Sequence, residues 1–228
     1  MAKDFNSQLI VDGYDVHIRK LIPGYEVVHQ QIQALLKTYV DEPAHILIVG
    51  CGTGYELGYL LQLCPNWTFT AMDLSVTMLE KAKHYIQPLN ASHRVEFVLG
   101  DIAQLKTEQT YNAVLSILVT HFISLQDKPN FFKAIYKYLK PQGIFITFDL
   151  TQMKSDQELA TLKYLVEING LNSAQSTSMI RRLSDDFYLL SAEETEAQLN
   201  KSGFNSIMRF TQILAYQGFM AIKDETAK

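Results

Sequence analysis

Three glycines and two aspartates stand where apolar segments of the chain end. Gly50, Gly52 and Gly54 form a G-x-G-x-G pattern after a run of Ile, Leu and Val, and Asp73 and Asp101 follow the next two apolar runs. Glycine lets the backbone turn sharply and lets a ligand lie against main-chain atoms. A carboxylate about twenty positions further on can accept hydrogen bonds from both hydroxyls of a ribose. These residues predict a nucleoside site.

The glycine pattern differs from two common nucleotide-binding patterns. A dinucleotide loop, G-x-G-x-x-G, would need glycine at position 55, where the chain has Tyr55, and no Walker-type Gly-Lys-Ser/Thr is present. The pattern therefore favours an adenosine without a bound polyphosphate. Asp101 is placed to accept a hydrogen bond from an exocyclic amine, and Ile102 could lie against an adenine face.

Strands and helices must alternate to bring these residues together. The first apolar run does not alternate with polar residues, as is typical of a strand buried on both faces of a parallel sheet. Short connections and five repeats of this rhythm predict an α/β fold with a doubly wound, Rossmann-like sheet. The carboxyl ends of its strands would line one crevice. The predicted strands are Ile46–Val49, Thr68–Met72, Val95–Leu99, Tyr111–Leu118 and Ile144–Leu150.

Helices and a final hairpin complete the predicted order. Pro23-Gly24 is expected to precede a helix, Ser75 suits a helix N-cap, and Asn169-Gly170 with a Ser/Thr-rich piece should interrupt the helical stretches beyond residue 150. The clearest predicted helices are 25–39, 131–139, 156–168 and 192–201, and strands near 206–212 and 216–222 should pair antiparallel.

These elements predict a single domain over residues 1–228. We expect an N-terminal helical lid segment at 1–43, a cofactor-binding core at 44–150, a cap insertion at 151–190, and a C-terminal helix and β-hairpin at 191–228. The segment after residue 150 is longer than a plain crossover, so part of it should cover the site.

Composition limits the classes of partner. The chain has 228 residues, 47% of them hydrophobic, and a formal net charge of −4 with scattered Lys and Arg, so a nucleic acid partner is not expected. No apolar run approaches the roughly 20 residues that span a membrane, and Met1–Gln8 is polar, unlike a signal peptide. Cys51 and Cys64 have no nearby metal-ligand partners, so we expect reduced thiols, no metal and a cytoplasmic location.

Five ordered motifs resemble those of the class I S-adenosylmethionine-dependent methyltransferases. They are Val49-Gly50-Cys51-Gly52-Thr53-Gly54, Ala71-Met72-Asp73-Leu74-Ser75, Leu99-Gly100-Asp101-Ile102, Leu139-Lys140-Pro141-Gln142-Gly143-Ile144-Phe145 and Leu199-Asn200-Lys201-Ser202-Gly203-Phe204. The resemblance implies a seven-stranded sheet with an antiparallel last strand and S-adenosyl-L-methionine as cofactor, leaving S-adenosyl-L-homocysteine.

The same resemblance implies a role for each cofactor residue. The glycine loop, including Cys51, would contact the methionine part, Asp73 with Leu74 would hold the ribose, and Asp101 with Ile102 would meet adenine. The family commonly has an acid two residues before the first glycine, and this chain has Ile48 there.

A narrower resemblance is to the carboxy-S-adenosylmethionine synthase group, which is linked to tRNA wobble-uridine modification. Its Pro-Gly-Tyr entry looks like Pro23-Gly24-Tyr25, with the tyrosine near the cofactor, and Ser116 stands where that group carries an asparagine near the cofactor. The arginine that marks the cofactor carboxylate in that group is replaced by Gln198, so ordinary S-adenosylmethionine is favoured. Arg19 is a further candidate partner for the methionine carboxylate.

His121, directly after the fourth predicted strand, should point toward the methyl group. It could accept a proton from a hydroxyl or amine, or it could only shape the pocket wall. We therefore predict a methyltransferase for a small-molecule acceptor. Carboxylated-cofactor synthesis or tRNA modification, and a non-catalytic cofactor-binding module, remain open alternatives. The final hairpin could pair two subunits as a homodimer.

Overall fold

A computed structural model of the chain describes residues 5–105 and 108–225. Within these residues seven strands form one sheet in the order β3-β2-β1-β4-β5-β7-β6. β7 runs antiparallel to both of its neighbours, which confirms the predicted sheet and its final hairpin. The strands are β1 His45–Val49, β2 Thr68–Asp73, β3 Val95–Leu99, β4 Tyr111–Ile117, β5 Leu139–Leu150, β6 Ser206–Ile213 and β7 Tyr216–Ile222.

Helices cover both faces of the sheet. One face packs against α2 to α5, α7 and α8, and the other against α6 and α9. The helices are α1 Gln8–Asp12, α2 Tyr14–Leu21, α3 Tyr25–Tyr39, α4 Tyr55–Leu63, α5 Val76–Ile86, α6 Lys128–Tyr138, α7 Asp156–Ile168, α8 Ser173–Asp185 and α9 Ala192–Lys201.

β1 lies at the centre of the topology. It pairs in parallel with β2 and with β4, and four of its five residues are buried. Because Val49 pairs with Met72 and Asp73 pairs with Leu99, the residues that follow these strands emerge along one edge of the sheet. The chain order reverses between β1 and β4, where ligands bind in open α/β sheets.

Two segments differ from their predicted structure. β5 begins at Leu139 rather than near residue 144, because Leu139 already pairs with Tyr111 before the register shifts. The Ser/Thr-rich piece is not a break but helix α8, whose start is fixed by a reciprocal capping box between Asn172 and Gln175. That box outweighs the modest helix propensity of serine and threonine.

The predicted single domain includes residues 1–4, 106–107 and 226–228, which lie outside the described residues. Cys51 and Cys64 are buried free thiols. No helix in the described ranges has both the length and the apolar character needed to cross a bilayer.

Candidate functional site

A cavity of about 420 Å³ opens at the carboxyl edge of the sheet, between the ends of β1 and β4. Six of the predicted cofactor residues line it: Gly50, Gly52, Asp73, Leu74, Asp101 and Ile102. The remaining lining comes from residues that the sequence analysis did not assign to the cofactor, namely Phe5, Asn6, Tyr14, Val49, Ser75, Met78, Gly100, Ile117, Leu118, Val119, Phe122, Ile123 and Phe131.

The glycine loop is held by main-chain contacts and one carboxylate. The Gly50 amide donates to the Met72 carbonyl at 2.8 Å, and the Gly52 amide donates to Asp73 Oδ2 at 2.9 Å. Asp73 Oδ1 accepts from the Ser75 amide at 2.9 Å. Burial raises the pKa of Asp73, although the amides of Ser75 and Gly52 partly offset this. Asp73 therefore orients the glycine loop. Ile48, which stands where the related family commonly has an acid, is a buried core residue.

Two loop positions that were assigned to the cofactor face the protein instead of the cavity. A Cβ on Gly54 would meet Ala82 at 3.0 Å, so this glycine allows α4 to approach α5 closely. Cys51 is buried, and burial raises the pKa of its thiol. Neither residue lines the cavity, and their assignment to the cofactor stays a prediction.

The part of the cavity that follows β3, where adenine is predicted, combines an acid with apolar surface. Asp101 Oδ1 accepts from the Ala103 amide at 2.7 Å, and the carboxylate remains exposed. Ile102 is buried and lines the cavity, whereas Leu74 at its rim is 73% exposed. An exposed leucine beside a cavity provides apolar surface that a bound planar ring would cover.

The N-terminal residues close one side of the cavity. The Phe5 carbonyl accepts from Ser75 Oγ at 2.7 Å, and the Asn6 carbonyl accepts from Thr77 Oγ1 at 3.0 Å. The Phe5 ring packs edge-on against Phe122 with centroids 5.6 Å apart. We call residues 5–6 the N-terminal strap. Its contacts join positions about 70 residues apart, so no local pattern predicts them.

Arg19 and Tyr25 lie outside the cavity lining. Arg19 Nε pairs with Glu26 at 2.6 Å, and its guanidinium lies 4.7 Å from the ring centroid of Tyr55. Tyr25 is buried with its ring centroid 4.4 Å from that of His29. Their predicted contact with the cofactor stays a prediction.

A buried acid lies behind the glycine loop, between α4 and the N-terminal helices. Glu56 Oε1 is 3.6 Å from His29 Nε2. Burial, with a smaller contribution from nearby Asp15, raises the pKa of Glu56 to about 7. Burial lowers the pKa of His29 to about 4, so this histidine is neutral near pH 7 and does not compensate the carboxylate.

Replacing Glu56 with glutamine should therefore stabilise the fold at neutral pH. The folded pKa of Glu56, about 7, lies above its ordinary value of 4.5, so the folded state holds the proton more tightly and ionisation between these values costs stability. Thermal unfolding should show equal stability for Glu56→Gln and wild type near pH 4.5. A gain on the order of 2 kcal/mol for the variant should develop as pH rises to 7 and then stay constant. An equal gain at every pH would contradict this account.

Neither Ser116 nor His121 is among the residues that line the cavity, and their predicted roles stay predictions. Ser116 is fully buried on β4, and its hydroxyl has no hydrogen-bond partner within the described residues. His121 is 8% exposed, and its ring lies 4.1 Å from Phe122 and 4.6 Å from Phe187, measured between centroids. His121 Nδ1 hydrogen-bonds Asp149 at the end of β5.

The geometry fits the adenosyl cofactor that the resemblance implies. A Cβ on Gly52 would meet nothing within 4 Å, so the loop leaves open space beside the main chain. Each oxygen of Asp73 accepts one amide and can accept one more hydrogen bond, as a ribose diol requires. Asp101 and Ile102 offer an acceptor and an apolar face at the next strand end.

Comparison with known proteins identifies the domain. Residues 46–143 match the family described as "Methyltransferase domain". The chain is 23% identical over 213 residues to carboxy-S-adenosyl-L-methionine synthase of Photorhabdus laumondii, covering 90% of this chain and 84% of that protein. It is 33% identical over 150 residues to malonyl-[acyl-carrier protein] O-methyltransferase of Priestia megaterium, covering 63% of this chain and 52% of that protein.

Solved structures share the fold. Magnesium protoporphyrin IX methyltransferase of Synechocystis, solved with bound S-adenosylhomocysteine, superposes with a TM-score of 0.68 at 16% identity and 96% coverage of both chains. An O-methyltransferase family protein of Burkholderia thailandensis superposes with a TM-score of 0.62 at 15% identity, and this chain, of which 89% is covered, spans 59% of that longer one. Residues 46–143 thus match a methyltransferase domain, and the chain shares its fold with solved methyltransferases, one of which holds S-adenosylhomocysteine.

Proposed function

We propose that this enzyme transfers the methyl group of S-adenosylmethionine to a small, electrically neutral acceptor with an apolar body. The observation that carries the proposal is the charge of the cavity wall. Among the described residues that line it, Asp73 and Asp101 are carboxylates, and none is Lys, Arg or His. An anionic acceptor buried there would lack a cationic partner, which is costly in a partly closed site. The far wall is aromatic and aliphatic, with Phe5, Phe122 and Phe131.

In this proposal, residues at the ends of different strands bind different parts of the cofactor. Asp73 holds the ribose and the glycine loop, Asp101 and Ile102 receive adenine, and Gly52 leaves room for the aminoacyl part. When bound, the cofactor supplies an electrophilic methyl carbon, and the bonding electron pair stays on its sulfur. Residues 5–43 contribute Phe5, Asn6 and Tyr14 to the cavity lining, and Phe187 of residues 151–190 packs against Phe122, so these two segments act as the cover that selects the acceptor.

The second candidate is carboxylated-cofactor synthesis. It is favoured by the synthase relatives, which match 90% of the chain, whereas the malonyl-carrier methyltransferase matches 63%. Against it, Gln198 lies on α9, and no described residue of that helix lines the cavity. Mass spectrometry of the ligand that co-purifies with the protein separates the two candidates. A carboxylated cofactor would favour the second, and S-adenosylmethionine or S-adenosylhomocysteine the first.

Isothermal titration tests the proposed cofactor and the acceptor class in turn. S-adenosylhomocysteine should bind the wild-type chain in a one-to-one ratio. A neutral probe, naphthalene, should then bind the loaded protein at least about tenfold more tightly than 2-naphthoate, because the carboxylate finds no cation. Equal or tighter binding of 2-naphthoate would contradict a neutral acceptor.

A further inference from the structure

A buried polar cluster lies beneath the aromatic wall of the cavity and is not used by cofactor binding. It consists of His121, Asp149, Thr120 and Lys128. We propose that Asp149 holds His121 in the form whose Nε2 accepts a proton, so that the acceptor is an alcohol or phenol. This inference rests on the proposed function, because it assigns the acceptor class of the same site.

Asp149 is surrounded by donors. Asp149 Oδ2 accepts from the Thr120 amide at 2.5 Å and from Thr120 Oγ1 at 2.6 Å, and Oδ1 accepts from the Leu150 amide at 2.8 Å and from His121 Nδ1. Burial alone would raise the pKa of Asp149, but His121 and the other donors outweigh burial and hold this pKa below its ordinary value. The carboxylate is therefore ionised at neutral pH and can only accept hydrogen bonds.

The ionised carboxylate sets the tautomer of His121. Because Asp149 Oδ1 is an acceptor, Nδ1 must carry the hydrogen, and a neutral imidazole then has its lone pair on Nε2. Among the described residues no hydrogen bond reaches Nε2, and this atom is not among the fully buried, unpartnered ones. Nε2 is thus an oriented hydrogen-bond acceptor to which none of the described residues donates.

The position of the ring points to the acceptor side of the cavity. The His121 ring packs against Phe122, which lines the cavity and is 38% exposed, and against Phe187 of the cap, which also packs against Phe122. Rotation of a partly exposed phenylalanine is fast compared with enzyme turnover. Turning Phe122 aside would open the cavity toward Nε2.

Lys128 fixes the turn that carries the histidine. It is 1% exposed, and its Nζ donates to the Thr120 carbonyl. Thr120 is therefore held from both sides, by Lys128 at its carbonyl and by Asp149 at its amide and hydroxyl. We regard Asp149 and Lys128 as positioning residues, because both act on the acceptor through His121.

Methylation of an alcohol or phenol requires a group that accepts the hydroxyl proton. A neutral hydroxyl is a weak nucleophile until its proton leaves. As the acceptor oxygen forms its bond to the methyl carbon, its proton passes to His121 Nε2, and the carbon–sulfur electron pair remains on the leaving thioether. A thiolate or a neutral amine reacts without prior loss of a proton and needs no such acceptor.

Nuclear magnetic resonance of uniformly ¹⁵N-labelled protein tests the tautomer without any acceptor. We expect His121 to show protonated Nδ1 and unprotonated Nε2 at pH 8. In Asp149→Asn the amide can donate to Nδ1, so the proton should move to Nε2. Protonated Nε2 in the wild-type protein would overturn the proposal, even if the variant does not fold.

Transfer of a trideuterated methyl group, followed by mass spectrometry, tests the acceptor class. The probes are 2-naphthol, benzyl alcohol, 2-naphthylamine and 2-naphthalenethiol. We expect the wild-type protein to transfer the methyl group to a hydroxyl probe. The rate of this transfer should fall at least 100-fold in His121→Gln and in Asp149→Asn. Both variants should bind S-adenosylhomocysteine within twofold of the wild-type affinity. The matched control His93→Gln changes an exposed histidine and should keep the wild-type rate.

The two proposals fail in different ways. Absence of S-adenosylhomocysteine binding by the wild-type chain would refute the proposed function, while the histidine tautomer would still be measurable. If the cofactor binds normally, three results would refute the proton-acceptor role of His121. They are transfer only to the amine or thiol, transfer to none of the probes, and an undiminished rate of transfer to a hydroxyl in Asp149→Asn.

Discussion

Replacing Asp73 with asparagine should weaken S-adenosylhomocysteine binding about 100-fold or more. The wild-type carboxylate accepts from the Gly52 and Ser75 amides and, in our proposal, from two ribose hydroxyls. An amide keeps one acceptor oxygen and turns a donor toward the other partners. Hydrogen bonds to a charged group contribute about 1.5–3 kcal/mol each, so losing the charge and one acceptor should cost about 3 kcal/mol. Isothermal titration measures the change directly.

A matched control separates this effect from a change of net charge. Asp41→Asn removes one negative charge from an exposed position outside the cavity and should leave the affinity within twofold of wild type. If Asp73→Asn also bound within twofold of wild type, the ribose assignment would be wrong. Thermal unfolding should confirm that both variants remain folded at the temperature of the titration.

Adding a methyl group at Gly50 should unfold or strongly destabilise the protein, whereas the same change at Gly52 should mainly abolish cofactor binding. A Cβ on Gly50 would lie 2.4 Å from Val119 Cγ2, and φ at this residue is +73°. At Gly52 φ is +52°, and an added Cβ would have no protein atom within 4 Å. Backbone strain alone costs about 1–2 kcal/mol, and overpacking adds about 1–3 kcal/mol.

Thermal unfolding and titration together distinguish the two glycines. Gly50→Ala should lose about 3 kcal/mol of stability, and Gly52→Ala about 1 kcal/mol while losing affinity for S-adenosylhomocysteine. Gly13→Ala is the control, because φ there is −88° and the added Cβ would approach only the Leu9 carbonyl at 3.8 Å. Unchanged affinity in a folded Gly52→Ala would place the cofactor away from this loop.

The sequence predicted those parts of the molecule that depend on local chemistry. The bounds of α3, α7 and α9 agree with the structure. Apolar periodicity marks α3, and Gly203 marks the end of α9. Ser75 caps α5 as expected, with its side chain accepting from the Met78 amide at 3.1 Å. Strand ends and glycines are equally local, and six of the residues predicted from them to bind the cofactor line one cavity.

What escaped prediction depends on contacts between distant segments. Phe5 reaches Ser75, and Asp149 reaches Thr120 and His121, through pairings that only the folded sheet creates. One signal was present in the sequence: Asp149 is an acid within the apolar run 144–150, and a buried charge requires partners. That signal indicates a polar partner but does not say which one.

The strap and the final strand place the two ends of the described chain at opposite edges of the sheet. Residues 5–6 touch the cavity, whereas β7 runs away from it and ends beside Gly143, whose carbonyl accepts from the Lys223 amide at 2.9 Å. Since both native thiols are buried, a single new cysteine can be labelled selectively. An environment-sensitive fluorophore on Asn6→Cys would report occupancy of the cavity as a change in emission, and the same dye on Asp224→Cys would serve as its silent reference.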